Sequence, residues 1–304
     1  MPHVIRLPTK WVNASTLERT LQLGQGPHEV PDSDVRFIFP AGCKVMIDAA
    51  VRLLSLLNQL DRSSRRVRLE FEDGASDVLG YLNRMGFFDH LARNVEVVPE
   101  RPPVSAAKQY GGQNAGLVEI AAINPSCRDD SLPSRLSDAL GRACCQRSDV
   151  KELEGAAWTV FAELVDNVFS HSATSLDGYA ALQVYSRGKS LMVAVSDSGL
   201  GIMETLRPAI SAEFPTLAGH SDIELLVEVF RQGLSRHGSD RGCGLKGSAA
   251  KAIKYKADLD VRLPTNRVLL VPGAGGYRPS TAYCSGHLPL IWGTHLCFTF
   301  SLDT

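Results

Sequence analysis

The sequence predicts an α/β protein of two units, a small N-terminal α/β domain followed by a larger one. Three observations predict it. Strand-like and helical runs alternate from Val35 to Pro99, a pair of strand-like runs follows a long helix near residue 170, and "ERPPVS" at 100–105 separates the two regions. With 304 residues, 44% of them hydrophobic and 21% charged, the chain has the composition of a globular protein with room for two domains.

In the first unit, residues 1–105, "VRFIFP" (35–40) is strand-like and "MIDAAVRLLSLLNQLDR" (46–62) spaces apolar residues as a helix does. "RVRLEFED" (66–73) alternates with period two, "ASDVLGYLNRMGFFDHL" (75–91) is helical and "VEVVP" (95–99) is a further strand. Alternation of this kind favours a small α/β layer with a parallel or mixed sheet. Residues 106–130 are polar and glycine-containing apart from "LVEIAAI" at 117–123, and are expected as a linker.

The second unit, 131–304, opens with two helices, "DSLPSRLSDALGRACC" and "DVKELEGAAWTVFAELVDNVFSH". "YAALQVYSRGKSLMVAVSDSG" (179–199) reads as a hairpin turning at Arg187-Gly188-Lys189. A helical stretch (221–237) leads to a glycine cluster, "GSDRGCGLKGSAAKAI" (238–253), and strand-like runs at 259–263, 267–271 and 294–302 follow.

A formal net charge of −1 gives no global field to recruit nucleic acid or an anionic membrane. The seven cysteines are scattered, as expected of reduced thiols, and the opening residues lack the basic-then-apolar pattern of a signal peptide. No apolar run is long enough to span a bilayer. A cytoplasmic location is the expectation.

Three segments carry chemistry. In "ELVDNVFSHS" (163–172), Glu163, Asn167 and His171 are four apart, so they form a slowly drifting stripe on one helix. A glutamate can act as a base, and an amide oxygen is a neutral ligand for hydrated magnesium. In "VSDSGLGI" (195–202), Asp197 ends a strand and Gly199 and Gly201 follow, letting backbone approach a flat ligand while the carboxylate accepts from an exocyclic amine. In "DRGCGLKGSAAKA" (240–252), Gly242, Gly244 and Gly247 precede a helix whose free amides suit polyphosphate, with Arg241 and Lys246 adding positive charge. Taken singly, each has an ordinary alternative: a solvated helix face, a glycine turn and a glycine cluster.

Their order is what is specific. Acidic-amide helix, hairpin, D-x-G-x-G, long segment, G-x-G-L opening a helix, and "GTHLCFTF" (293–300) together resemble the GHKL ATP-binding domain of gyrases, heat-shock chaperones, mismatch-repair ATPases and histidine kinases. The resemblance covers about 130–304 and implies a two-layer α+β sandwich with a mixed sheet. "ELVDNVFSH" is similar to the asparagine box of anti-sigma-factor serine kinases. The resemblance implies ATP and Mg2+ as ligands, Asn167 as magnesium ligand and Glu163 as base. It further implies Asp197 with Gly199 and Gly201 at the adenine, and Gly242, Gly244, Leu245 and Lys246 at the phosphates.

Two departures from the family pattern stand out: a long lid at 203–241 and an insertion at 263–292. The first unit resembles a STAS-like module in its strand–helix order, with Ser76 at a strand-to-helix turn where a helix cap is the favoured role. A histidine-kinase phosphoacceptor helix is not present, and His90 is expected as a helix-end residue. Cys284, His287, His295 and Cys297 are expected to pack rather than bind zinc. Arg231, Arg236 and Arg241 are open between a phosphate contact and a solvated face.

The function expected from this is a Mg-dependent, slow ATPase acting as a nucleotide-gated switch for a protein partner or homodimer. An anti-sigma-type serine kinase and a non-catalytic ATP/ADP-sensing adaptor are the alternatives.

Overall fold

In the computed structural model, residues 2–31, 33–74, 77–171, 174–185, 187, 189–232, 243–274, 276–280 and 284–302 are described, the side chains of 170, 171, 232, 243–246 and 248 excepted. The chain is an α/β fold of two domains, each built on its own main sheet.

The first sheet contains β1 (His3–Arg6), β3 (Asp34–Phe39), β5 (Arg66–Phe71) and β6 (Glu96–Val98), in the order β1-β3-β5-β6. Every pairing in it is parallel, because helical crossovers return the chain to the same end each time. Alternate residues Val35, Phe37 and Phe39 on β3 and Val67, Leu69 and Phe71 on β5 are buried. The opposite face is ruled by ion pairs such as Arg68–Glu70 (2.9 Å) and Arg66–Asp34 (2.6 Å). A two-residue bridge joins β2 (Trp11–Val12) to β4 (Lys44–Val45). Helix α1 (Ala14–Leu21) is capped by Asn13, whose side chain accepts from the Thr16 amide at 2.9 Å.

Helix α2 (Ile47–Arg62) is buried along almost its whole length, because it is covered on two sides. Its leucines join the buried face of the parallel sheet in one apolar cluster, and that cluster continues into Leu117, Ile120, Tyr179, Ala181, Ala194 and Cys297 of the second sheet. Helices α3 (Val78–Arg84), α4 (Phe87–His90) and α5 (Ala106–Tyr110) complete this side. Ser76 lies outside the described residues.

The second sheet has seven strands in the order β12-β11-β10-β13-β9-β8-β7, from β7 (Leu117–Ile123), β8 (Gly178–Tyr185), β9 (Ser190–Ser196), β10 (Asp258–Arg262), β11 (Arg267–Gly273), β12 (Gly276–Pro279) and β13 (His295–Ser301). The mixed sheet expected here is antiparallel at every pairing. The reason is connectivity: β8–β9, β10–β11 and β11–β12 are successive hairpins, and β13 returns between β10 and β9 against both.

The linker and the insertion both turn out to belong to this sheet. Residues 106–130 carry α5 and the edge strand β7, whose Leu117, Val118, Ile120 and Ile123 are buried on either side of an irregularity in its register. Residues 263–292 carry β11 and β12, which extend the other edge.

Period-two alternation divides the seven strands between two cores. Ala180, Leu182, Val193, Val195, Leu259, Val261, Phe298 and Phe300 face α6 (Leu132–Ala143), α7 (Val150–His171), α8 (Ile202–Glu213), α9 (Asp222–Gln232) and α10 (Cys243–Lys254). The residues between them face α2. The result is four layers: parallel sheet, α2, antiparallel sheet, helices. In the stretch expected as a lid, Leu206, Ile210, Leu225, Leu226 and Val229 are buried in that second core, so its described part is packed structure.

Candidate functional site

β9 ends at Ser196, and the chain then turns through Asp197–Gly201 into α8. Gly201 caps α8 with φ +85, a conformation that L side chains rarely adopt, and a Cβ there would crowd Pro264 and the Gly293 carbonyl. Across from it Gly293 has φ +87, and a Cβ at that position would drive into the Asp197 carbonyl and lie 2.6 Å from Asp197 Oδ1. The two glycines let the loops at 197–201 and 292–294 close directly on each other, a junction with no room for a side chain at either position.

Asp197 sits at this junction. Its Oδ1 accepts from the Gly199 amide at 2.8 Å and its Oδ2 from the Thr294 amide at 3.0 Å, while its own amide donates to the Thr294 carbonyl at 3.0 Å. The Thr294 hydroxyl accepts from the Ile202 amide at 2.8 Å, tying the start of α8 to the same point. Burial raises the Asp197 pKa above its ordinary value, and the two amide hydrogen bonds only partly offset it. A carboxylate held in this way has its orientation fixed and lone pairs left to accept from a ligand.

Helix α7 brings the acidic stripe beside this loop. Val168, next to Asn167, packs onto Gly178, where an added Cβ would be 2.6 Å from Val168 Cγ1 and 2.7 Å from the Ser196 carbonyl. Only glycine lets α7 approach the end of β9 so closely. Glu163 and Asn167 are half-buried one turn apart on α7. Desolvation raises the Glu163 pKa, the negative charge of Asp166 adds to the effect, and Lys251 of α10 opposes it. Lys251 thus places α10 against the stripe. Asp166 is held in an ion pair with Arg128 (2.6 Å), whose guanidinium lies over the Phe169 ring at 5.7 Å.

Of the sequence-expected residues, Asp197, Gly199 and Gly201 share the turn after β9, while Glu163 and Asn167 lie on α7, whose Val168 packs on Gly178 beside the Ser196 carbonyl. Gly244, Leu245 and Lys246 lie in the first turn of α10, which packs along α7. Gly242 lies outside the described residues, as do Arg236 and Arg241. Arg231 is paired with Glu228 at 2.7 Å. His295 and Cys297 are buried two apart on β13. Burial, with Arg52 and Arg262 near it, lowers the His295 pKa well below the usual histidine value.

Cavities of 780 and 1130 Å3 lie elsewhere, lined by residues such as His90, Lys108, Arg135 and Arg142 in one and Arg93, Arg101 and Pro103 in the other. No buried carboxylate lines either of them. Among the described residues no group of three or more His, Cys, Asp or Glu is placed to hold a metal ion. Magnesium carried by a triphosphate does not require such a group, since phosphate oxygens and waters supply most of its ligands. The donor set here, one amide oxygen with a carboxylate a turn away, fits an ion of that kind.

What sequence reasoning missed is on α2. Asp48, Arg52, Ser55 and Gln59 recur at spacings of four, three and four, a polar stripe on a leucine-rich helix. Arg52 donates to Glu18 of α1 at 2.9 Å and to Asp260 at 3.3 Å, and Arg262 donates to the same Glu18 oxygen at 3.0 Å. Ser55 shares a 2.7 Å hydrogen bond with Ser196, and Gln59 bonds to Ser198 and Trp292. In sequence such a stripe is indistinguishable from the solvent face of an amphipathic helix, which is why it did not stand out. No protein-family model matches the chain, and no curated protein matches it. Among the described residues no helix is long and apolar enough to cross a membrane.

Proposed function

We propose that the chain is a GHKL-type, Mg-dependent adenine-nucleotide-binding protein that hydrolyses ATP slowly, acting in the cytoplasm as a nucleotide-gated switch on a protein partner. The observation that supports this reading is the Asp197 carboxylate, half-buried and held by two backbone amides at the junction between the loops of Gly201 and Gly293. An acceptor-only group in that setting selects an exocyclic amine, which adenine offers at its edge and guanine replaces with a carbonyl.

Asn167 offers an amide oxygen to magnesium, and the first turn of α10 offers its amides to phosphate. When bound, magnesium neutralises charge that develops on the phosphoryl oxygens. Glu163, its pKa raised by burial and by Asp166, accepts the proton of an attacking water and orients that water. Lys251 partly offsets that rise by favouring the ionised carboxylate.

The test is turnover of γ-labelled ATP with magnesium. Glu163→Gln should lower release of phosphate by about 10²–10⁴-fold while leaving ATP affinity nearly unchanged. Asn167→Ala should weaken magnesium-dependent binding as well. Hydrolysis by Glu163→Gln at the wild-type rate removes Glu163 from the role of base, and GTP binding as tight as ATP binding overturns the adenine assignment.

A further inference from the structure

Gln59 of α2 is completely buried, and its whole side-chain amide is committed to the two loops that meet at Asp197. Its Nε2 donates to Ser198 Oγ at 3.0 Å and to the Trp292 carbonyl at 3.1 Å, and its Oε1 accepts from the Trp292 amide at 2.9 Å. Ser198 is the residue after Asp197, and Trp292 is two residues before Thr294, whose amide holds the Asp197 carboxylate. Asp197 is thus suspended between two loops, and each loop is fixed to the same amide group of the other domain. One turn earlier on the same face, Ser55 holds Ser196 at 2.7 Å, so the end of β9 is tied to α2 twice.

A leucine at position 59 would bury comparable apolar volume without a single polar group to satisfy. The amide adds something that packing does not, a fixed separation between the two loops. Alignment of one carboxylate with one exocyclic amine depends on that separation, since hydrogen bonds weaken steeply with misdirection. We infer that Gln59 is a positioning residue for base recognition, and that the N-terminal domain is thereby part of the nucleotide site, which it completes from behind. This rests on the adenine reading of Asp197. Gln59 touches no ligand; it sets where Asp197 points.

The experiment measures ATP and GTP dissociation constants with magnesium by calorimetry on the full chain, together with thermal stability, for wild type, Gln59→Leu, Ser198→Ala and Leu57→Ala. Leu57 is buried on the same helix, about 200° around from Gln59, so its truncation weakens α2 without touching the loops. In wild type ATP binds more tightly than GTP. Gln59→Leu narrows that preference at least tenfold, Ser198→Ala narrows it in the same direction by removing one of the three bonds, and Leu57→Ala keeps it while losing stability.

A wild-type ratio in Gln59→Leu, or an equal collapse in Leu57→Ala, overturns the inference while leaving the adenine site standing. If Gln59→Leu does not fold, an unchanged ratio in Ser198→Ala overturns it equally. Wild-type protein that binds neither nucleotide, or both alike, overturns the adenine reading itself and this inference with it.

Discussion

Gly293→Ala is the sharpest single perturbation of the junction between the two loops at Asp197. The residue has φ +87, and an L side chain in left-handed backbone costs about 1–2 kcal/mol. The new methyl would also overlap the Asp197 carbonyl and lie 2.6 Å from its Oδ1, well inside contact distance. Backbone is the obstacle, so no side chain can swing away, and overpacking of this kind costs about 1–3 kcal/mol. Together the loss is about 2–5 kcal/mol, and for a chain of this size the melting temperature falls by about 3–8 °C. ATP affinity falls too, because the strand carrying Thr294 must move away from the carboxylate it holds at 3.0 Å. Urea unfolding followed by circular dichroism measures the first effect and calorimetry the second. The same substitution at Gly155 is the control. That glycine is inside α7 with open space around its Cβ position, so Gly155→Ala should stabilise the protein by about 0.5–1 kcal/mol. A Gly293→Ala variant within 1 kcal/mol of wild type, as estimated from these costs, would refute the steric reasoning.

Glu18→Gln removes the charge that faces Arg52 and Arg262 in the buried layer, and should cost about 3–5 kcal/mol in urea unfolding. Pairing Glu18→Leu with Arg262→Met should cost less than Glu18→Leu alone, because no charge is then stranded; a larger loss in the double variant would count against the network. Asp197 has its folded pKa raised, so its contribution to stability is fully present below the ordinary carboxylate value and is lost as pH rises through the raised one. Binding needs the ionised acceptor, so adenosine affinity should increase over that same rise, and Asp197→Asn should abolish the dependence; a flat profile in wild type would contradict it. Turnover should likewise fall as pH drops through the raised Glu163 value, above the 4.5 of an ordinary glutamate, and the limb should vanish in Glu163→Gln.

Local pattern made much of this fold readable. Strict alternation in "RVRLEF" marks β5, the β-prone apolar run in "THLCFTFS" marks β13, and the apolar spacing around Glu163 marks α7. Pairing direction was less readable, because it depends on which strands meet. Nothing near residue 297 says that β13 inserts between β10 and β9. The strand at 117–123 was visible, but its membership of the antiparallel sheet depends on a bond from the Val184 amide to the Gly116 carbonyl and the pairings beyond it. In the candidate site, Asp197 and the stripe on α7 stood out by residue type. Gln59 did not, since a lone glutamine in "LLNQLDR" looks like the polar face of a surface helix until a second sheet covers it.

The place of β13 has a consequence for how the protein is made. Ninety-eight residues lie between Ser196, which ends β9, and His295, which opens the strand that pairs with it. A ribosome adds about 5–20 residues each second, so that interval lasts about 5–20 s. Throughout it β9 and then β10 have free hydrogen-bonding edges, and Asp197 lacks the Thr294 amide that holds it. The nascent chain therefore depends on chaperone cover or on a rapid late insertion, and a translational pause before residue 295 should increase its aggregation.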